Sequence, residues 1–362
     1  MLKLEARPQP SAAMSLASPF IALVLTALIA AVLFAALGKD PLRGLSIFFV
    51  EPLSGLRQLS EVLLKATPLI VIALGLAVCY RSNVWNIGAE GQFLLGALGG
   101  GGVALWLTTH GIVLPKIVSV PLVLAAGALG GMAWAAITAL LRDRFNASEI
   151  LVSLMLVYVA QQLVNYLAFG PWKDPQGFNF PQTKTFDAST WLPNLLGGTR
   201  LHIGFVIALL AVALMWAFMF RTYRGFQLQV GGLAPAAARY AGFSASTSLW
   251  TALLISGGLA GLAGGMEAAG PLRQITPHIS TGLGFTAIIV CFVGRLHPVG
   301  IVFAGVLLSM MLIGGELGQS RLGLPNALTG VFQGLLLVLL LACDTLINFR
   351  IRVRSPFAAA RG

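Results

Sequence analysis

The sequence predicts an all-α protein, a polytopic transmembrane helix bundle of about ten membrane segments, some broken or half-length, with a hint of an internal repeat. Three observations predict it. The chain is 57% hydrophobic and 10% charged, with a mean hydropathy of +0.87, whereas an average soluble domain is about 25% charged. Its apolar runs are long enough for membrane helices and too long for barrel strands. The strongly polar stretch Arg81-Ser82-Asn83-Val84-Trp85-Asn86-Ile87-Gly88-Ala89-Glu90-Gly91-Gln92 interrupts them. A carboxylate near the bilayer centre costs about 2.5–3.5 kcal/mol on insertion scales. Polar groups kept at that depth usually face a bundle interior or a water-filled path, which points to a transporter or channel.

The first apolar run, 17–38, is longer than the roughly 7–15 residues of a signal-peptide core and reads as a retained first helix. Further segments are expected at 62–80, 88–108, 118–141, 148–169, 202–220, 247–268, 283–294, 297–315 and 328–347. The 283–294 run is short and meets Gly294-Arg295-Leu296-His297-Pro298, which fits a half-helix or a tight hairpin arm. This gives a tail over 1–16, a membrane domain over 17–347 and a basic tail over 348–362. An even count puts both termini on one side. Placing them inside assigns 13 of the 23 Lys and Arg residues to the cytoplasm, the expected direction of bias. Arg350, Arg352 and Arg354 form the clearest inside anchor.

Two connections stand out. Residues 170–200 contain Pro171, Pro175, Pro181 and Pro193 with Trp172 and Trp191, and would face outside. A connection of this length is usually functional or disordered, and its aromatics argue against simple disorder. Residues 221–246 would face inside. There Pro235 suits the first turn of a short helix and Gly242 its end. That helix is either a docking element or an ordinary amphipathic loop helix. Gly257, Gly261 and Gly265, like Gly127 and Gly131, recur every four residues and read as close helix packing.

On a continuous helix Asn83, Asn86 and Glu90 would share a face, with Gln92 nearly opposite. Either the segment is wrapped by protein on all sides or its helix breaks near Gly88 and Gly91, a recurrent transporter device. Equally, Glu90 could bond neighbouring backbone donors and never meet cargo. A second polar, glycine-rich entry, Ser280-Thr281-Gly282-Leu283-Gly284-Phe285-Thr286, occupies a comparable place in the second half.

Other chemistries find no support. Gly38-Lys39 is followed by Asp40 with no spaced P-loop before it, so ATP is not bound by that device. No catalytic triad or metal-ligand cluster is evident. The three cysteines fall singly in apolar runs. The net charge of +11 sits in short connections and tails without interleaved aromatics, which argues against nucleic acid. Acids inside the segments are few, chiefly Glu90, Glu267 and Asp344, whereas ion-driven carriers commonly hold more. The pattern suits a pore subunit driven by another protein.

At the level of motifs, the chain resembles the permease subunit of a bacterial ABC importer. It is most similar to the nucleoside type that works with basic membrane protein lipoproteins, within the branched-chain amino acid, ribose and nucleoside permease family. Four segments carry the resemblance, which covers about residues 60–345. They are Trp85 to Gln92; Gly170-Pro171-Trp172-Lys173-Asp174-Pro175 continuing to Phe180-Pro181-Gln182-Thr183; Arg239-Tyr240-Ala241-Gly242 with Gly225; and Gly284-Phe285-Thr286-Ala287-Ile288 through His297-Pro298. The resemblance implies a bacterial inner-membrane, multi-pass protein with cytoplasmic termini and no cofactor or catalytic residue of its own. ATP would be bound by a partner ATPase. Further partners would be a second, related permease, a substrate-binding lipoprotein and membrane lipid. Asn86, Glu90, Gln92, Phe285 and Thr286 would lie near the translocation path. Arg221, Arg224, Gly225, Pro235, Arg239 and Gly242 would belong to the ATPase-coupling loop. Two departures stand out: Ala236 replaces a Glu common in coupling loops, and Val157 replaces a common Asn. The alternative is a self-sufficient secondary transporter or channel for a small solute.

Overall fold

The structure, a computed structural model, describes residues 2–7, 11–325 and 327–353. In chain order its elements are strand β1 (Leu2–Ala6) and helices α1 (Ala12–Ala36), α2 (Pro41–Phe49), α3 (Leu56–Arg81), α4 (Ala89–Thr109), α5 (Lys116–Phe145), α6 (Glu149–Phe169) and α7 (Gly204–Arg221). There follow α8 (Tyr223–Leu233), α9 (Pro235–Tyr240), α10 (Ala245–Glu267), α11 (Leu283–Val293), α12 (Pro298–Leu322), α13 (Ala327–Asn348) and strand β2 (Phe349–Val353). Among the described residues nine helices are long and apolar enough to cross a membrane, and α11, with 11 residues, is shorter. Each expected segment is therefore a helix, with 283–294 the short one. In a bilayer a helix satisfies its own backbone groups, which is why apolar runs of this length adopt it.

Two compact units divide the chain, one from Met1–Ser54 with Met310–Gly362, the other Gly55–Ser309. In the first, α1 packs along α13, and Phe34, Phe48 and Phe332 meet with ring centroids 5.3–5.6 Å apart. Helix α2 was not expected from the sequence, because nine amphipathic residues fall well short of a membrane span. Asp40 caps it, accepting from the Leu42 N–H at 2.9 Å, and Pro41 opens it. Within the two tails, β1 and β2 form an antiparallel ribbon in which Leu2 faces Val353. Arg354 of the basic tail lies outside the described residues.

In the second unit α3 is the central helix, with 89% of its most apolar window buried. Beside it α4, α5 and α10 touch backbone to backbone. A Cβ added at Gly96 would come within 2.2 Å of Gly261, and one at Gly131 within 2.1 Å of the Gly257 carbonyl oxygen. The glycine repeats thus serve the close packing that their spacing predicts. α10 ends in a π-helical turn, Ala268–Leu272.

Candidate functional site

The site begins where α3 stops. The Ser82 hydroxyl bonds back to the Val78 and Cys79 carbonyls at 2.9 and 2.8 Å, satisfying the last turn. Asn83, at φ 55°, then turns the chain, a conformation its short amide tolerates. Residues 84–88 are non-helical, and α4 starts only at Ala89. The helix is therefore not continuous, and Asn83, Asn86 and Glu90 do not share a helical face. Asn83 is exposed in a link, and only Glu90 and Gln92 are on the helix. Of the two ways of satisfying the polar stretch, both hold in part: the helix is interrupted up to Gly88, not at Gly91, and protein wraps the result.

The link re-enters the bundle. Asn86 donates from Nδ2 to the Ser256 hydroxyl at 2.9 Å, and Ser256 is residue 12 of the 23 in α10, its midpoint. The same Nδ2 donates to Gln92 Oε1 at 2.9 Å, and Gln92 Nε2 donates back to Asn86 Oδ1 at 3.2 Å. Oδ1 also accepts the Gly88 N–H at 3.0 Å, so every hydrogen-bonding position of this fully buried amide is used. Two hydroxyls hold the link's backbone: Ser153 accepts the Ile87 N–H at 3.2 Å, and Tyr80 donates to the Asn86 carbonyl at 3.2 Å. Irregular backbone is tolerable at this depth because protein supplies its partners.

Glu90 joins the two polar motifs. Its Oε2 accepts the Gly284 N–H at 2.6 Å in the first turn of α11, and Ser280 and Gly282 also hydrogen-bond to it. A carboxylate at a helix N-terminus meets free N–H groups and the positive end of the helix dipole. Gly284 lies against Glu90 so closely that a Cβ there would be 2.4 Å from the Glu90 nitrogen. The reading in which Glu90 bonds backbone donors is the arrangement observed. Thr286 is buried beside this contact, while Phe285 is 40% exposed.

At the Arg81 end, Arg81 Nε donates to the Leu296 carbonyl at 2.9 Å, and its guanidinium lies 4.9 Å from the Phe220 ring centroid. Helix α8 leans on the start of the link: a Cβ at Gly232 would be 2.1 Å from the Arg81 carbonyl oxygen. A cleft of about 430 Å³ opens there, lined by Ser82, Asn83 and Val84 of the link, Arg142, Asp143 and Glu149 at the α5–α6 turn, and Pro235, Ala238 and Arg239 of α9. Arg142 and Glu149 pair at 3.2 Å.

Both helices over 221–246 are built from local signals. Thr222 caps α8 by accepting the Gly225 N–H at 3.1 Å. Gly225 packs directly on α7, since a Cβ there would be 2.1 Å from the Phe218 oxygen. Arg221 lies over Trp216, and Arg224 reaches Gln227 at 3.2 Å. Pro235 opens α9, and Gly242, at φ +79°, ends it. The sequence predicts α9 but not α8, whose Gly231 and Gly232 weaken its helical signal. The pair leaves Tyr223, Phe226, Leu233 and Tyr240 exposed, the last at 97%.

The 170–200 connection is ordered and lies at the opposite end of this unit. Thr183 N–H donates to the Ile275 carbonyl at 3.0 Å, Asp187 N–H to Thr108 Oγ1 at 2.9 Å, and Arg273 stacks 4.0 Å from Trp191. Asp187 caps the short turn Ala188–Thr190. Beside it the end of α4 and the connection enclose a second cleft of about 460 Å³. Among the described residues no group of three His, Cys, Asp or Glu could hold a metal ion.

The structure therefore gathers Asn86, Glu90, Gln92 and Thr286 at the bundle centre, and Arg221, Arg224, Gly225, Pro235, Arg239 and Gly242 at the α8–α9 end. Sequence reasoning misses Tyr80, Ser153 and Ser256, which hold the link. Ser256 sits beside Gly257 on a small-residue face that reads as packing alone.

This architecture, apolar helices around a polar re-entrant link, defines a multi-pass membrane transport component. Residues 58–341 match the family described as branched-chain amino acid transport system / permease component, and the chain belongs to that family. It is 33% identical to a glucose ABC transporter permease of Haloferax volcanii, over 97% of this chain and 94% of the relative. It is 30% identical to the guanosine ABC transporter permease NupP of Bacillus subtilis, over 91% and 94%. It is 29% identical to the nucleoside ABC transporter permease NupB of Lactococcus lactis, over 94% and 93%.

Proposed function

We propose that the chain is the permease subunit of an ABC importer, forming the translocation path for a nucleoside or related small polar solute. The observation that carries this reading is the α8–α9 pair, an exposed aromatic and basic surface seated through Gly232 of α8 on the start of a link that ends in a buried polar network. A surface of that kind fits an ATP-binding subunit, and the link offers it a route to the bundle centre. The chain holds no ATPase site of its own in this reading, and ATP is bound by the partner. Residues 221–246 and both termini face the cytoplasm of a bacterial inner membrane. Residues 170–200 face outside and receive a substrate-binding lipoprotein. The second half of the pore is a related permease. With Glu replaced by Ala236, docking rests on shape and on Arg239.

The cargo follows from the relatives, which are named for guanosine, nucleosides and glucose. All of these present a hydroxylated ring. Asn86, Glu90 and Gln92 position the path rather than grip the solute, since their polar atoms bond to protein. Val157, in place of Asn, packs against Gly91 beside this network, where a Cβ would be 3.1 Å from its Cα.

Replacing residues 237–242 tests the reading. The assembled transporter should keep its ATPase subunit's basal hydrolysis and lose its stimulation by loaded binding protein. Full stimulation in that variant would remove α9 from the coupling path. A secondary carrier would instead show ion-linked flux from the purified chain alone.

A further inference from the structure

We propose that the cleft between the C-terminal end of α4 and residues 170–200 is a site for an anionic phospholipid, holding its phosphate headgroup and the first part of an acyl chain. The assignment does not rest on the transport reading. The cleft, about 460 Å³, begins inside the span at Leu105 and Trp106 and rises past His110 to Trp172, Lys173 and Lys184. Its lower part is thus at membrane depth and apolar, and its upper part carries cations, the profile of an amphiphile. Trp106 is 54% exposed one turn from the helix end, the level at which tryptophans meet lipid headgroups.

Charge complementarity selects the lipid class. No Asp or Glu lines the cleft among the described residues. Among the described residues the Lys184 side chain makes no hydrogen bond or ion pair there, and Lys173 reaches only the neutral Asn179 amide. The neighbouring Asp174 turns its carboxylate to the Gln176 N–H at 3.0 Å. Two cations without an acid, above an apolar floor, match a phosphate joined to hydrocarbon. An acidic protein patch would satisfy the lysines but would leave the floor at Trp106 unfilled.

The test titrates the full-length chain in detergent with short-chain phosphatidylglycerol and, separately, phosphatidylcholine, counting bound lipid by native mass spectrometry. Phosphatidylglycerol should bind more tightly. Lys173→Gln and Lys184→Gln should each weaken it about fivefold, the effect of one lysine near an anionic surface, and leave phosphatidylcholine unchanged. The Lys→Arg pair, keeping the charges, should bind as the parent does, which separates loss of the site from loss of fold. Equal binding of the two lipids, or undiminished phosphatidylglycerol binding in the double Gln variant, would overturn the proposal. So would competition by glycerol 3-phosphate at the lipid's own concentration, which would make the site one for a soluble anion. Intact lipid binding with lost docking of the binding protein would assign the lysines to that protein instead.

Discussion

Asn86 commits its whole amide to Gln92, Ser256 and Gly88, so removing it strands several buried groups at once. Each stranded group costs about 1–3 kcal/mol. Asn86→Ala should therefore destabilise the chain at the upper part of that range, and Ser256→Ala at the lower, in denaturant unfolding from mixed micelles. Equal stability would mean that water replaces the amide. Glu90→Gln keeps an acceptor for Gly284 at the α11 N-terminus while removing the carboxyl. It should leave transport free of any ion dependence, read as uptake across a sodium and proton series. In the 170–200 connection, the Ser189 N–H, donating to Asp187 Oδ1 at 2.9 Å, holds the Asp187 carboxyl below its ordinary range. A depressed folded value means that the turn's contribution is present above about pH 3.9 and is lost as pH falls through that lower value. Limited proteolysis of this connection should accelerate below that pH in the parent and lose the dependence in Asp187→Asn. At this scale the sequence was legible where polarity broke an apolar run, as at Asn86, Glu90 and Gln92. It was silent on Ser153, Ser256 and Tyr80, because a hydroxyl on a helix costs little and signals nothing until a partner faces it.

The link over 82–88 is the element on which the account turns. At one end α8 rests on it and α9 lines the cleft beside it, and at the other it carries the Asn86 network and the start of α4. Gly232 and Gly225 allow α8 its two close contacts, with the Arg81 carbonyl and with α7. Gly232→Val must push α8 off the link, and should lower binding-protein stimulation of ATP hydrolysis several-fold while leaving the membrane bundle folded. An unchanged response would place coupling elsewhere. Gly242→Val meets no atom but forces a side chain into φ +79°, so it should cost about 1 kcal/mol and loosen α9 alone. Helix lengths were legible because hydropathy counts residues. Of the two arrangements open to the polar stretch, the interrupted helix holds, because α3 ends at Arg81 and the left-handed Asn83 turns the chain away from a shared helical face. α2 escaped for a different reason: its Asp40-Pro41 start is a plain helix signal, but it sits outside any run long enough to span.

At the scale of the molecule, a family permease with a buried polar centre and a basic, aromatic end is one part of a machine. Its cargo and its energy come from partners, and those are tested only in the assembled transporter. The most direct measurement is uptake into proteoliposomes that hold this chain with its ATPase, a second permease and a binding protein, using a radiolabelled panel of nucleosides, pentoses and glucose. The account predicts uptake that requires ATP and every component, with nucleosides preferred. ATP-dependent uptake of a sugar instead would keep the machine and change its cargo. Flux through this chain alone, indifferent to ATP, would contradict the account.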